Sequence, residues 1–454
     1  MTDLLFVGLT VVVAVRPGLA VYRLIRMPAA ARRNYPAALW AKIRWRWLTR
    51  NLGLAYVDTH QRGAMIRRPG STSVRIPAGS PERARLRYPH ARIRADAFGI
   101  SATVKTIPKV GRGQLEDSAE HIANAWRCHR AQVAQIRPGR VMVRGLRTDP
   151  LTLPLPMDQA PPGVYDRSAS ESANGVGQLR LYLGLDEWGN HRWLTLNGCT
   201  GITVGGLPGF GKTEFVKSLL MQLAMLPAKF VFIDGKGGGD YHEWKQRAWI
   251  YAEDELPAAA AALEQTHLEM RHRLATVVDQ TGHRNAWRVG PVPGFEILVT
   301  IIDECHTFFD LDATKGSPAD DKLVRTCRTL AGQLVRKGRS VLAVTILITQ
   351  KQTSDAIPTF IRDNCRHGLS FAVKTRDAAV AALGDGIRDY PSYCPSGLQD
   401  PVYIGVATAA LRTAHDPFVR LRVPELTEQA VADRATQTAG NAALQRETRV
   451  PSLV

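Results

Sequence analysis

The sequence predicts an α/β fold built on a mostly parallel sheet wrapped by helices, and three observations predict it. Continuous runs of β-branched and apolar residues, "KFVFID" (229–234), "EILVTIID" (296–303) and "SVLAVTILIT" (340–349), read as strands buried on both faces. Segments with helical spacing separate these runs, which is the β-then-α order that parallel crossover connections need. The glycines and acids gather just after the runs, where open parallel sheets present their ligand sites.

Taken in order, residues 194–204 read as a strand that ends in "VGGLPGFGKTEF" (204–215). Gly206, Leu207, Pro208, Gly209, Phe210, Gly211, Lys212 and Thr213 fit G-x-x-x-x-G-K-[ST]. Glycines there let backbone N–H groups curl around a phosphate, and the helix predicted from residue 215 to 225 adds its N-terminal dipole. These eight residues with Glu214 are the expected ATP-binding set. The buried run from 297 to 302 ends at Asp303 and Glu304. Asp303 is expected to hold Mg²⁺ with Thr213, and Glu304 to polarise the attacking water. The plainer reading is that these acids only cap the following helix.

The 454-residue chain is long enough for two or three domains. Residues 1–100 carry 18 Lys+Arg against 4 Asp+Glu, a net +14 of the chain's +18, which leaves +4 for the rest. Such a basic region suits nucleic acid, an anionic membrane face or simply a soluble basic surface. Six scattered cysteines with no C-x-x-C argue for a reducing compartment and against a zinc site. His306, in D-E-x-H, and His242 lack ligand spacing and read as polar neighbours of the phosphate site.

Residues 1–50 form a basic, apolar segment read as a candidate membrane anchor. Its first apolar run, residues 4–15, is shorter than the ~20 residues a bilayer core needs. "LWAKIRWRWLTR" (39–50) mixes tryptophan with basic residues, a composition suited to the lipid headgroup layer, against which stand a buried helix pair or a DNA-gripping surface. The expected location is therefore the cytoplasmic face of the membrane, peripheral or single-pass. Residues 51–150 read as a small α+β module, 151–176 as a proline-rich and polar linker, and 177–424 as the nucleotide-binding domain. Residues 425–454 are expected to be a frayed tail.

Five stretches in register carry a family resemblance: "GGLPGFGKT", "FIDGKGG", "VTIIDE", "RKGRSVLAVTILITQ" and "RDNCRHGLSFAVKTRDAAVAALGDG". Together they make residues 180–424 resemble the RecA-like motor domain of FtsK/SpoIIIE-type DNA translocases, nearest the Tra proteins of actinobacterial conjugative elements. The resemblance implies an ATP-driven motor on double-stranded DNA, a homo-oligomeric ring, hexameric in the family, and accessory transfer proteins as partners. It places Gln350 at a glutamine that senses the γ-phosphate, Arg339 at an arginine finger acting on the neighbour's nucleotide, and Arg376 near a second basic trigger; a solvated basic face is the plain alternative for these arginines. The chain reads Asp234-Gly235-Lys236 where relatives often have Asp-Pro-Lys, and Lys351-Gln352 where they have Arg-Pro. Only about thirty residues follow Pro424, too few for the winged helix with which many relatives read DNA, so either another region or a partner supplies recognition, or DNA is gripped through its phosphates alone.

Three rivals stand beside this reading. A DExH helicase needs a second RecA-like domain for which no length remains. A coupling ATPase passing single-stranded DNA or protein to a membrane channel shares the same motifs. A scaffold with a dead nucleotide site conflicts with the intact Lys212, Thr213, Asp303 and Glu304.

Overall fold

A computed structural model of the chain describes residues 26–58, 64–66, 74–76, 85–157, 164–166, 177–351, 353, 356–411 and 417–440. The apolar run at 4–25, most of the expected linker and residues 441–454 lie outside them. The chain divides into two compact units, Met1–Asp149 and Pro150–Val454.

In the first unit a long helix, α1 (Ala29–Asn51), precedes four strands, β1 (His90–Ala95), β2 (Gly99–Lys105), β3 (Arg130–Arg137) and β4 (Arg140–Leu146). They form an antiparallel sheet in the order β1-β2-β4-β3. Between β2 and β3 lie α2 (Arg112–Asp117) and α3 (Ala119–Trp126), which meet at Ser118 rather than running as one helix. Ile100, Ala102, Val104, Val141 and Val143 point from the sheet into a core closed by Ala38, Ala41, Trp45 and Leu48 of α1 and by Ile122 and Trp126 of α3. Helix α1 is thus part of the module's core rather than a segment apart from it. Its buried residues recur at 38, 41, 45 and 48, a helical stripe that needs a sheet to cover it. No helix among the described residues is long and apolar enough to cross a membrane.

The second unit holds an 11-stranded sheet. Its strands are β5 (Gln178–Asp186), β6 (His191–Thr195), β7 (Gly201–Gly205), β8 (Ala228–Asp234), β9 (Ala248–Glu253), β10 (Ile297–Asp303), β11 (Ala343–Thr349), β12 (His367–Ser370), β13 (Val406–Ala410) and β14 (Val419–Arg422), with a short strand, Val164–Asp166, on β5. The order along the sheet is β6-β5-β14-β13-β12-β7-β11-β10-β8-β9. The stretch from β12 to β9 is parallel throughout, and the remainder is antiparallel. The parallel half carries the predicted strands, every residue of β7, β8, β10 and β11 being buried. Helices α4 (Lys212–Leu223), α5 (Leu256–Thr281) and α6 (Pro318–Lys337) lie in crossovers between parallel strands, and α7 (Arg376–Leu383) lies in the connection from β12 to its antiparallel neighbour β13. This is the α/β fold of the P-loop ATPases: the phosphate loop's own strand, β7, stands two places from β10, which ends in Asp303, with β11 between them, and β8 pairs with β10 on its other side.

Three expectations are corrected. The strand expected at 194–204 is two strands, because Gly198 turns the chain at φ 70° after Asn197 has capped the open edge of β5 by accepting the N–H of Leu179. Part of the expected linker is built into the second unit: Leu151 and Leu155 are buried, and Leu155 and Met157 bond the backbone of Glu425 on both sides. Residues 428–438 of the expected frayed tail form α8 (Glu428–Thr438), capped by Thr427 and burying Val431 and Ala435 in the main core. Alanine-rich composition hid two apolar positions four apart, enough for one helix face.

Candidate functional site

The phosphate loop leaves β7 and enters α4 through three glycines at positive φ, Gly206 (145°), Gly209 (77°) and Gly211 (100°). At Gly206 a Cβ would stand 2.7 Å from Phe371 Cβ, so the loop lies directly on the extension of β12. Phe371 N–H donates to Gly205 O and Leu207 N–H to Ala372 O, each at 2.8 Å, and Gly405 N–H donates to Phe210 O at 3.1 Å. The loop is therefore held from outside, by β12 and by the turn before β13, while Pro208 and Gly209 remain exposed. Thr213 and Glu214 follow Lys212 in the first turn of α4.

Lys212 is buried and its Nζ donates to Gly206 O at 2.8 Å and Leu207 O at 2.9 Å. Burial pulls its ammonium down to about 8, against the opposing charges of Glu304 and Asp303. Those charges reach it because β7 and β10 both flank β11 and all three run the same way.

Asp303 is buried at the end of β10, and its Oδ1 accepts the N–H of Glu304 at 2.8 Å. Burial raises its carboxyl to about 6; the Glu304 amide opposes this, and the charges of Asp234 and Glu304 add to it. Asp234 is paired with Asp303 in strand register and is fully buried. Its Oδ1 accepts the N–H groups of Lys236 and Gly237, and its Oδ2 has no hydrogen-bond partner. Gly235 sits where a Cβ would meet Asp303 O at 3.0 Å and Glu304 O at 3.1 Å, which accounts for glycine at that position.

Glu304 occupies the left-handed region at φ 47°, a strained conformation for a long side chain. Its Oε1 accepts the backbone N–H of Gln350 at 3.0 Å and lies 2.7 Å from Nδ1 of His306. Burial works to raise this carboxyl, but the bonds from His306 and Gln350 and the charge of Lys212 hold it below its ordinary value. His306 also lies 3.4 Å from Thr349 Oγ1. A histidine read from the sequence as a bystander thus supports the carboxylate; its place two residues beyond Glu304 was the available signal.

The structure brings together Gly206 to Glu214, Asp303, Glu304 and the backbone of Gln350. Arg376 is exposed at the start of α7, four residues beyond Ala372, the last residue of the β12 extension that bonds the loop. Arg339 lies elsewhere. It is exposed in the turn before β11, beside Arg366 and Gly198 at the entrance of β7, and its carbonyl accepts Trp287 Nε1 at 2.8 Å. The length of β7, roughly 17 Å at about 3.3 Å per residue, separates that end of the sheet from the phosphate loop.

A triphosphate fits this set of groups: a close-lying glycine loop at a helix N-terminus, a buried ammonium, and hard oxygen donors from Thr213, Asp303 and the unpartnered Asp234 Oδ2 suited to a divalent cation. Among the described residues there is no His/Cys/Asp/Glu cluster of the kind that would hold a metal on its own.

No family model matches the chain, and none of the curated proteins matches it. Solved structures do. The conjugation coupling protein TcpA of pCW3, in a monomer form with ATPγS, aligns with 77% of this chain and 93% of its own at 15% identity and a TM-score of 0.51. The cytoplasmic domain of the Type VII secretion ATPase EccC of Thermomonospora curvata aligns with 60% of this chain and 32% of its own, at 20% identity and a TM-score of 0.46. The likeness to TcpA establishes a shared fold.

Proposed function

We propose that this chain is an ATP-driven translocase of double-stranded DNA, of the FtsK/SpoIIIE type, working as a homo-oligomeric ring, hexameric as in that family, in plasmid or integrative-element transfer. The observation that carries the reading is the placement of its groups on opposite ends of one parallel sheet. The phosphate loop, Asp303 and Glu304 lie at the strands' ends, and Arg339 stands exposed at their beginnings. An arginine so placed serves a neighbouring subunit's nucleotide, and a head-to-tail contact of that kind closes into a ring.

In this mechanism the N–H groups of Gly209 to Thr213 and the Lys212 ammonium hold the β- and γ-phosphates of ATP. Thr213 and Asp303 would hold Mg²⁺, which supplies positive charge against the phosphate oxygens. Glu304, aimed by Gln350 N–H and His306, accepts the proton of the water that attacks the γ-phosphorus, and ADP leaves with the bridging oxygen. The Gln350 side chain senses the γ-phosphate, and Arg376 relays the change along the β12 side of the loop. The outer stripe of α1 fits a peripheral seat on the cytoplasmic membrane face: Leu39, Trp40, Ile43 and Trp47 are exposed, and Arg44 lies over the rings of Trp40 and Trp47.

The test is steady-state ATP hydrolysis by the wild type and by Lys212→Ala, without DNA, with long duplex and with single strands. Stimulation by duplex, absent in the variant, is the expected result. Stimulation by single strands alone, or by no DNA, favours the second reading, a coupling ATPase feeding single-stranded DNA or protein to a membrane channel, to which the likeness to a conjugation coupling protein lends weight.

A further inference from the structure

Among the described residues of the first unit, no helix covers the second face of its sheet. Helices α1 and α3 bury Ile100, Ala102, Val104, Val141 and Val143, and strand alternation turns the intervening residues outward. The register sets them in cross-strand rows. Arg94, Ser101 and Arg144 form one row, and Arg92, Thr103 and Met142 the next. His90, Lys105, Arg140 and Arg137 form the third, across all four strands. Arg144 is paired with Asp96 at 3.1 Å. Arg92, Arg94, Lys105, Arg137 and Arg140 are exposed and have no acidic partner among the described residues.

Like charges directly opposite on neighbouring strands oppose folding. Lys105 faces Arg140, and Arg140 faces Arg137, so the third row costs stability and returns none within the unit. A bound polyanion reverses that balance. The cations repeat about 6.8 Å apart along a strand and about 4.8 Å apart between strands, a density suited to a duplex carrying one charge per ~1.7 Å of axis.

We propose that this open sheet face grips the phosphate backbone of duplex DNA without reading its sequence. The inference concerns a surface other than the nucleotide site but rests on the double-stranded DNA reading above. Lipid is the less suitable polyanion. Among the described residues of this unit, the exposed large apolar side chains are Ile136, at the end of β3, and the α1 stripe of Leu39, Trp40, Ile43 and Trp47. That stripe lies on the side of α1 opposite its buried Ala38, Ala41, Trp45 and Leu48, hence on the far side of the unit from the open face. One flat bilayer cannot meet both sides.

The experiment uses the full chain with Arg92→Gln, Arg94→Gln, Lys105→Gln and Arg140→Gln combined, read by anisotropy of a labelled duplex over a salt series. Basal ATP hydrolysis without DNA and co-sedimentation with phosphatidylserine-containing vesicles run alongside. Duplex affinity should fall at least 10-fold near 100 mM salt, with the slope of log affinity against log salt reduced by about 3.6, since each of the four phosphate contacts contributes roughly 0.9. Basal hydrolysis and vesicle binding should not change. Unchanged affinity and slope overturn the proposal, as does loss of vesicle binding with duplex binding intact. A wild type that binds no duplex overturns both this proposal and the translocase reading, whereas duplex-stimulated hydrolysis with an unaltered variant overturns this one alone. If the variant loses basal hydrolysis, the set Arg92→Lys, Arg94→Lys and Arg140→Lys decides: retained duplex affinity supports a charge contact, and its loss refutes one.

Discussion

The Oε1 atom of Glu304 accepts the backbone N–H of Gln350 at 3.0 Å, tying the ends of β10 and β11 together at the phosphate site. Glu304 holds this bond from a left-handed backbone at φ 47°. In the proposed mechanism, a shift of Gln350 that follows a change in the nucleotide would move the carboxylate and so couple nucleotide state to the aim of the base.

Glu304→Gln keeps an acceptor for the Gln350 amide and removes the base. ATP turnover is expected to fall 10²- to 10⁴-fold, the range typical of general-base loss, while the affinity for a non-hydrolysable ATP analogue changes less than a few-fold. Parallel loss of binding and turnover would place Glu304 among the binding groups instead.

Arg339 and the phosphate loop lie at opposite ends of the sheet, so variants damaged at each should complement one another. Lys212→Ala and Arg339→Ala are each expected to be inactive alone. Mixing them creates interfaces that join an intact loop to an intact arginine, and a fraction of the wild-type rate should return. No recovery in verified mixed oligomers counts against action in trans.

Glu269 on α5 lies between Lys229 Nζ (3.1 Å) and Arg273 Nε (2.9 Å), and all three are buried. Glu269→Ala leaves two buried cations without their counter-charge and is expected to cost about 3–5 kcal/mol in denaturant unfolding. Burial tends to raise the Glu269 carboxyl, but the charges and hydrogen bonds of Arg273 and Lys229 leave it below 4.5. A folded-state value below the unfolded one stabilises above pH 4.5, and that contribution disappears as the pH falls through the folded value. Glu269→Gln should flatten this acid-side slope; an unchanged slope assigns it to other carboxylates.

All six cysteines are buried with free thiols. Burial pushes Cys128 up to about 11 and Cys199 and Cys327 up to about 12, and Cys305 well above the ordinary thiol range. At pH 8 the folded protein should react with a disulfide reagent at less than one thiol over minutes, and at all six in guanidinium. A fast-reacting thiol in the folded state would contradict this packing.

The strands at 229–234, 296–303 and 340–349 and the phosphate loop were legible in the sequence because each is a local pattern, an unbroken apolar run or a glycine spacing, whose physics is complete within a dozen residues. Asp303, Glu304 and Lys212 were legible for the same reason, since they follow those patterns directly. The support around them was not. Phe371 and Gly405 hold the loop from just outside strands far along the chain, His306 acts through a side-chain contact, and Asp234 stands beside Asp303 because β8 pairs with β10. The end of the sheet at which Arg339 emerges, the antiparallel half beside β12, and the alignment of Lys105, Arg140 and Arg137 into one row depend on which strands become neighbours. Local composition determined the elements and the chemistry at their ends. Strand order and register, set by burial of surfaces distant in sequence, determined which of those groups meet.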